Sequence, residues 1–115
     1  MYKYCIKLDY TIKEAIDRID EGKNRAVLVI DDENRLIGVL SQGDIIRALS
    51  YGKSLYSRVD SILHSNFLYL NERDMEEAYR MFKKIKITLL PIVDEEFRLK
   101  EVINIDDIFD YLEEK

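Results

Sequence analysis

The sequence predicts an α/β fold built from two like units, each running β-α-β-β-α and intertwined around one core. Three observations carry this. Residues 11–49 and 74–112 match in one register, apolar residues recur at helical spacing, and short apolar runs alternate with polar turns. A shift of about 63 positions brings roughly 11 of 39 residues into coincidence without a gap, the mark of an internal duplication. Glu14-Ala15 falls on Glu77-Ala78, Asp31 on Asp94, Arg35-Leu36 on Arg98-Leu99, Val39 on Val102, Asp44-Ile45 on Asp107-Ile108 and Leu49 on Leu112. A half of about 55 residues would bury only about 60% of its unfolded surface and be marginal alone. The two halves are therefore expected to share one core.

Taken in order, a short leading strand is expected at Ile6–Leu8. Ile12, Ala15, Ile16 and Ile19 then recur at i, i+3, i+4 and i+7, the apolar face of a helix over 11–22. The unbroken run Ala26–Ile30 is too short for a helix and rich in β-branched residues, so it reads as a strand buried on both faces. Asp31–Asn34 is a polar turn, Leu36–Leu40 a second strand, and a closing helix carries Ile45, Ile46 and Leu49 on its apolar side. Gly52 stops that helix. The repeat is assigned to residues 1–52, a linker to 53–60, and the second repeat to 61–115.

A short helix at Val59–His64 is expected to lead into the second repeat, with a leading strand at Phe67–Leu70. Met75, Ala78, Tyr79 and Phe82 form the next helical face. Strands follow at Leu89–Val93 and Leu99–Ile103, joined by Asp94–Phe97, and the last helix carries Ile108, Phe109 and Leu112. Pro91 inside an apolar strand requires a sheet edge or a position where no N–H is needed.

The formal charge is −5 with both signs interleaved, which argues against a nucleic-acid binder that needs a basic face. No apolar run is long enough for a membrane span and the first residues are no signal peptide. The single Cys5 can form no internal disulfide and has no zinc-ligand partners, so a reducing cytoplasm is the expected setting. His64, the only histidine, has no nucleophile or ligand spacing beside it and reads as a surface residue. The eight tyrosines read as half-buried packing rather than a base-stacking platform. Asp31–Glu33 and Asp94–Glu96 lack the length and spacing of a calcium loop, so no metal is expected. No nucleophile–base pair or phosphate-cradling glycine loop supports an enzyme.

The most specific local pattern is Gly38-Val39-Leu40-Ser41-Gln42-Gly43-Asp44, a strand running into a helix. Ser41 and Asp44 stand three residues apart at the helix start and can form a capping box. Asn104 and Asp107 offer a similar cap in the second copy. The free N–H groups and positive end of the helix can also attract a phosphate, with Ser41 donating to it and Asp44 accepting from ribose hydroxyls. The two readings are compatible.

Two β-α-β-β-α repeats, strands ending in Asp (Val29-Ile30-Asp31; Pro91-Ile92-Val93-Asp94) and Gly-h-h-Ser-x-x-Asp, where h is apolar, together resemble a tandem pair of CBS domains, a Bateman module. The resemblance covers essentially the whole chain. Gln42–Leu49 and the glycine-less Val102–Asp107 look most similar to pairs attached to sugar-phosphate nucleotidyltransferases. The resemblance implies a non-catalytic regulatory module, a homodimer, that binds an adenosine-containing ligand such as AMP, ADP or ATP and controls an attached or associated partner. It implies no cofactor. Carried over by position, one cleft would use Asp44 for ribose, Ser41 and Arg25 near the phosphate and Val39 against the base, with Phe67, Ile87 and Thr88 from the other repeat. The second cleft would use Asp107, Asn104 and Val102 with Tyr4, Asn24 and Arg25. There Glu101 replaces Gly38, Asn104 replaces Ser41 and Thr88 replaces Arg25, so that cleft is expected to bind weakly or not at all. A pair that has lost its ligand and serves only dimerisation is the alternative.

Overall fold

The computed structural model describes residues 2–64 and 66–115. A 3-10 turn at Tyr2–Tyr4 leads into strand β1 (Cys5–Lys7), followed by helix α1 (Ile12–Gly22), strands β2 (Ala26–Ile30) and β3 (Leu36–Ser41), and helix α2 (Gln42–Ser50). A 3-10 turn at Val59–Ser61 precedes helix α3 (Met75–Ile85), strands β4 (Leu89–Val93) and β5 (Leu99–Asn104), and helix α4 (Ile105–Glu113). The first sheet has the order β1-β2-β3, with β1 parallel and β3 antiparallel to β2. The second holds the antiparallel pair β4-β5.

The duplication is visible in backbone detail. Both hairpins carry the same register shift, between Val29 and Ile30 and between Ile92 and Val93. Among the described residues, the four non-glycine residues with positive φ fall into two pairs of repeat counterparts, Lys23 with Lys86 and Asn34 with Phe97. Lys23 and Lys86 end α1 and α3 in the left-handed region. Asn34 and Phe97 close the two hairpin turns, after Asp31 and Asp94 have each accepted two turn N–H bonds on one carboxylate oxygen. The repeats meet at these turns. Leu36 N–H donates to the Phe97 carbonyl at 3.0 Å and Leu99 N–H to the Asn34 carbonyl at 2.9 Å, across an antiparallel bridge from Arg35 to Arg98.

Both β2 and β4 are buried at every position. Alternate residues of β2 face different cores: Leu28 and Ile30 join Leu89, Val93 and Leu99 between the sheets. Val27 and Val29 pack under α1 with Ile12, Ala15 and Ile19. Leu90 and Ile92 do the same beneath Ala78, Phe82 and Ile108. The period of two in a strand thus links each repeat to its own helices and to the other repeat.

The structure departs from the expected elements in four places. The helix expected at Val59–His64 is a single 3-10 turn. Buried Val59 anchors it, and Ile62 and Leu63 pack on the first repeat's core, so the chain crosses the β3 surface instead of coiling. The strand expected at Phe67–Leu70 is reduced to one parallel bridge, Leu70 to Ile92. There Leu70 N–H donates to the Pro91 carbonyl and Val93 N–H to the Leu70 carbonyl. The next rung would need an N–H at position 91, which proline lacks. Pro91 therefore sits where its missing donor shortens a neighbour rather than breaking its own strand. Ile46, Phe109 and Leu112 do not face the core: they are 61%, 54% and 39% exposed. Nor are all the tyrosines packed, since Tyr2, Tyr51 and Tyr56 stand mostly in solvent.

Candidate functional site

The end of β3 and the start of α2 are built by one capping box. Ser41 Oγ accepts from Asp44 N–H at 3.1 Å, and Asp44 Oδ2 accepts from Ser41 N–H at 2.9 Å. Asp44 Oδ1 accepts from Arg47 Nη2 at 2.7 Å. Partial burial alone would raise the Asp44 pKa, but the Ser41 N–H, the Ser41 hydroxyl and the Arg47 guanidinium outweigh it and hold the carboxyl below its usual range. The group is thus an ionised, acceptor-only carboxylate at neutral pH.

Beside this box lies a cleft of about 430 Å³ between the repeats. Arg25, Ala26, Val39, Ser41, Gln42, Gly43 and Ile46 line it from the first repeat, and Lys86, Ile87, Thr88 and Leu89 from the second. Val39, Ile87 and Leu89 supply an apolar wall, and the first turn of α2 supplies the positive end of the helix, with its Gln42 and Asp44 N–H groups already given to the Arg25 carbonyl at 2.8 Å and to Ser41 Oγ at 3.1 Å. Among the described residues, neither the Arg25 guanidinium nor the Lys86 ammonium has an ion-pair partner. An apolar slot, a helix N-terminus and two uncommitted cations can together hold a flat ring and an anionic group.

Five of the seven residues expected at this cleft line it: Ser41, Val39, Arg25, Ile87 and Thr88. Asp44 is not among the lining residues but is bonded to Ser41, which is, through the capping box. Phe67 is not brought to the lining; it joins Tyr69 and Phe97 in an aromatic cluster, with ring centroids 6.0 and 6.1 Å away. Lys86 and Ile46 also belong to the lining; Lys86 was not singled out from the sequence, and Ile46 was expected on the core side of α2. Lys86 directly precedes Ile87-Thr88, and Ile46 lies on the side of α2 opposite the buried Ile45 and Ala48.

In the second repeat Asn104 and Asp107 form the corresponding box. Asn104 N–H donates to Asp107 Oδ2 at 2.9 Å, and Asp107 N–H to Asn104 Oδ1 at 3.0 Å. Asn104 Nδ2 donates to the Tyr4 hydroxyl at 3.0 Å. Asn24 is taken up by the other repeat: its Oδ1 accepts from Thr88 Oγ1 at 2.6 Å and its Nδ2 donates to the Thr88 carbonyl at 3.3 Å. Val102 packs against the shared core. Glu101 pairs with Arg73 at 3.2 Å and is half exposed, so its charge is directed to that arginine. The Gly38–Glu101 difference has a packing cause. A Cβ at Gly38 would lie 2.8 Å from Leu63 Cδ1 and 2.9 Å from the His64 carbonyl, where the connecting segment crosses β3.

A hollow of about 470 Å³ beside the Asp94–Glu96 turn is lined chiefly by polar and acidic side chains. Asp94 is already spent on that turn's own N–H groups. Among the described residues, no group of three or more His, Cys, Asp or Glu side chains is placed to hold a metal ion, and no helix is long and apolar enough to cross a membrane. Burial pushes the Cys5 thiol up to about 11, far from the range of a reactive thiolate.

The family model for the CBS domain matches residues 3–51 and again residues 59–114. The chain belongs to the CBS domain family. It is a tandem CBS pair with the mixed α/β fold of that family. Inosine-5'-monophosphate dehydrogenase of Aquifex aeolicus is 36% identical to it over 106 residues, which cover 90% of this chain and 21% of the dehydrogenase. The chain thus spans about a fifth of that relative's length. The solved cytosolic domain of the Mg2+ channel MgtE, in complex with ATP, superposes with a TM-score of 0.73 at 28% identity, covering 95% of this chain and 45% of that one. CBSX2 in complex with AMP superposes with a TM-score of 0.79, covering 96% and 87%, and at 21% identity it shares the fold.

Proposed function

We propose that this CBS pair is a non-catalytic regulatory module that binds an adenosine-containing nucleotide of the AMP, ADP or ATP class in the Asp44 cleft. The observation that supports the reading most is the union, in one open cleft, of an apolar wall, the capped start of α2 and the uncommitted cations Arg25 and Lys86. Val39, Ile87 and Leu89 hold the base. Ser41, Arg25 and Lys86 take the phosphate, and Asp44 accepts from ribose hydroxyls, sharing its outer oxygen with Arg47 or releasing it. Phe67, which the resemblance would place at this site, is not among the residues that line the cleft. The ATP complex of the channel domain, the solved relative with 28% identity, supports the ligand class.

Occupancy controls a partner only if the ligand binds two arrangements of the module with different affinity. The module is read as repeats 1–52 and 61–115 joined by 53–60, paired as a homodimer through Ile105, Phe109 and Leu112, the apolar side chains left exposed on α4. Its partner is an attached or associated enzyme or transporter. A nucleotidyltransferase is the class suggested by the Gln42–Leu49 and Val102–Asp107 motifs alone. Ligand-free dimerisation is the second reading, favoured by the second box, where Asn104 is already committed to Tyr4.

Thermal unfolding with AMP, ADP, ATP, S-adenosylmethionine and sugar nucleotides tests the reading. A ligand at 100-fold its dissociation constant adds about 2.7 kcal/mol of stability. The expected result is a clear upward shift with at least one adenosine ligand that is lost in Asp44→Ala. No shift with any of them favours the dimerisation reading, and a shift that survives Asp44→Ala removes Asp44 from the site.

A further inference from the structure

The Asn104 end of the second cleft is not open in the way its counterpart is. Ser41 lines a cleft open to solvent, whereas Asn104, at the same place in the other repeat, bonds the hydroxyl of Tyr4. Tyr4 is 7% exposed, and its ring is part of the core between the sheets with Ala26 and Leu28, with Val102 packed against it. The ring is held from behind as well: a Cβ at Gly22 would lie 3.3 Å from it. The turn carrying Tyr4 is clamped by Arg18, whose Nη1 donates to the carbonyls of Tyr2 at 2.9 Å and Cys5 at 2.8 Å.

We propose that Tyr4 is the resident occupant of the second cleft, so that a chain built as two equivalent halves takes one nucleotide. The inference rests on the reading of the Asp44 cleft given above. The ring and hydroxyl of Tyr4 supply the two things a bound nucleoside would supply at that place, a flat apolar face and an oxygen for Asn104. The surrounding charge agrees. Where the closing helix of the first repeat starts with Gly43 and Arg47, that of the second has Asp106 and Asp110, so removing Tyr4 opens space suited to a neutral nucleoside more than to a phosphate.

Isothermal titration of four proteins tests this: wild type and Asp44→Ala with ATP, and Asp44→Ala and Asp44→Ala/Tyr4→Ala with adenosine. Wild type is expected to take one ATP per chain, and Asp44→Ala to bind it at least about tenfold more weakly. Asp44→Ala is expected to ignore adenosine, while the double variant binds one adenosine per chain. Tyr4→Leu in the same background carries the test if Tyr4→Ala does not fold, because it keeps apolar bulk and removes the hydroxyl and the far edge of the ring. Two ATP per wild-type chain overturns the proposal, as does a folded double variant that ignores adenosine. Wild type silent toward ATP, with adenosine bound only after removal of Tyr4, sustains the Tyr4 assignment and removes the Asp44 reading instead.

Discussion

A methyl group at Gly38 would press on the His64 carbonyl, a backbone atom held by the crossing segment, as well as on Leu63. The equivalent Glu101 is half exposed and reaches out to Arg73. Gly38→Ala is therefore expected to destabilise the fold by about 1–3 kcal/mol through overpacking. Glu101→Ala loses only an exposed ion pair and should cost about 0–1 kcal/mol. Urea denaturation of both variants decides this, and equal costs would contradict the packing account. Residue by residue, the capping boxes were legible in the sequence because Ser41–Asp44 and Asn104–Asp107 are local patterns whose partners lie three positions apart. Glu101 was not legible, because its partner lies 28 residues away and the reason its counterpart is glycine lies in the segment around Leu63 and His64 that crosses β3. Phe67 lies outside the cleft lining, and its contact with Phe97 joins positions too far apart for a local pattern to show.

Among the elements, β2, β4 and the hairpin turns followed from short apolar runs bounded by acids and matched the observed strands closely. The two leading segments did not behave alike, since Pro91 withholds the donor that a second rung beside β4 would use. Helix α2 shows the limit of reading apolarity without direction. Ile45 and Ile46 are chemically identical neighbours, but at 100° per residue they cannot both face the core. Ile45 is 3% exposed and Ile46 61%. Ile45→Ala should therefore cost about 2–5 kcal/mol, while Ile46→Ala should stay within about 0.5 kcal/mol and act on ligand affinity instead. Thermal melts paired with nucleotide titration separate the two effects. A large stability loss at Ile46 would mean that this surface is covered, as in a dimer.

At the scale of the molecule, the shared core makes the two repeats interdependent: Leu28, Ile30 and Leu36 from one pack with Leu89, Val93 and Leu99 from the other. The duplication therefore preserves the scaffold, while the positions facing the clefts have diverged in opposite directions. One cleft is open and bordered by cations; in the other, the committed Asn104–Tyr4 pair and nearby acids replace them. The scaffold was readable from periodicity and self-match. The unequal clefts were readable only in part, as substitutions at Ser41, Arg25 and Gly38, because the contribution of Tyr4 depends on a contact spanning 100 residues. The central claim is that the Asp44 cleft is the nucleotide-sensing site. Its most direct test is an amide nuclear magnetic resonance titration of the intact chain with ATP. The account predicts saturable shifts centred on Gly43, Asp44, Lys86 and Thr88, with Asn104 and Asp107 little moved. Shifts centred on Asn104 and Asp107, or none in either box, would contradict it.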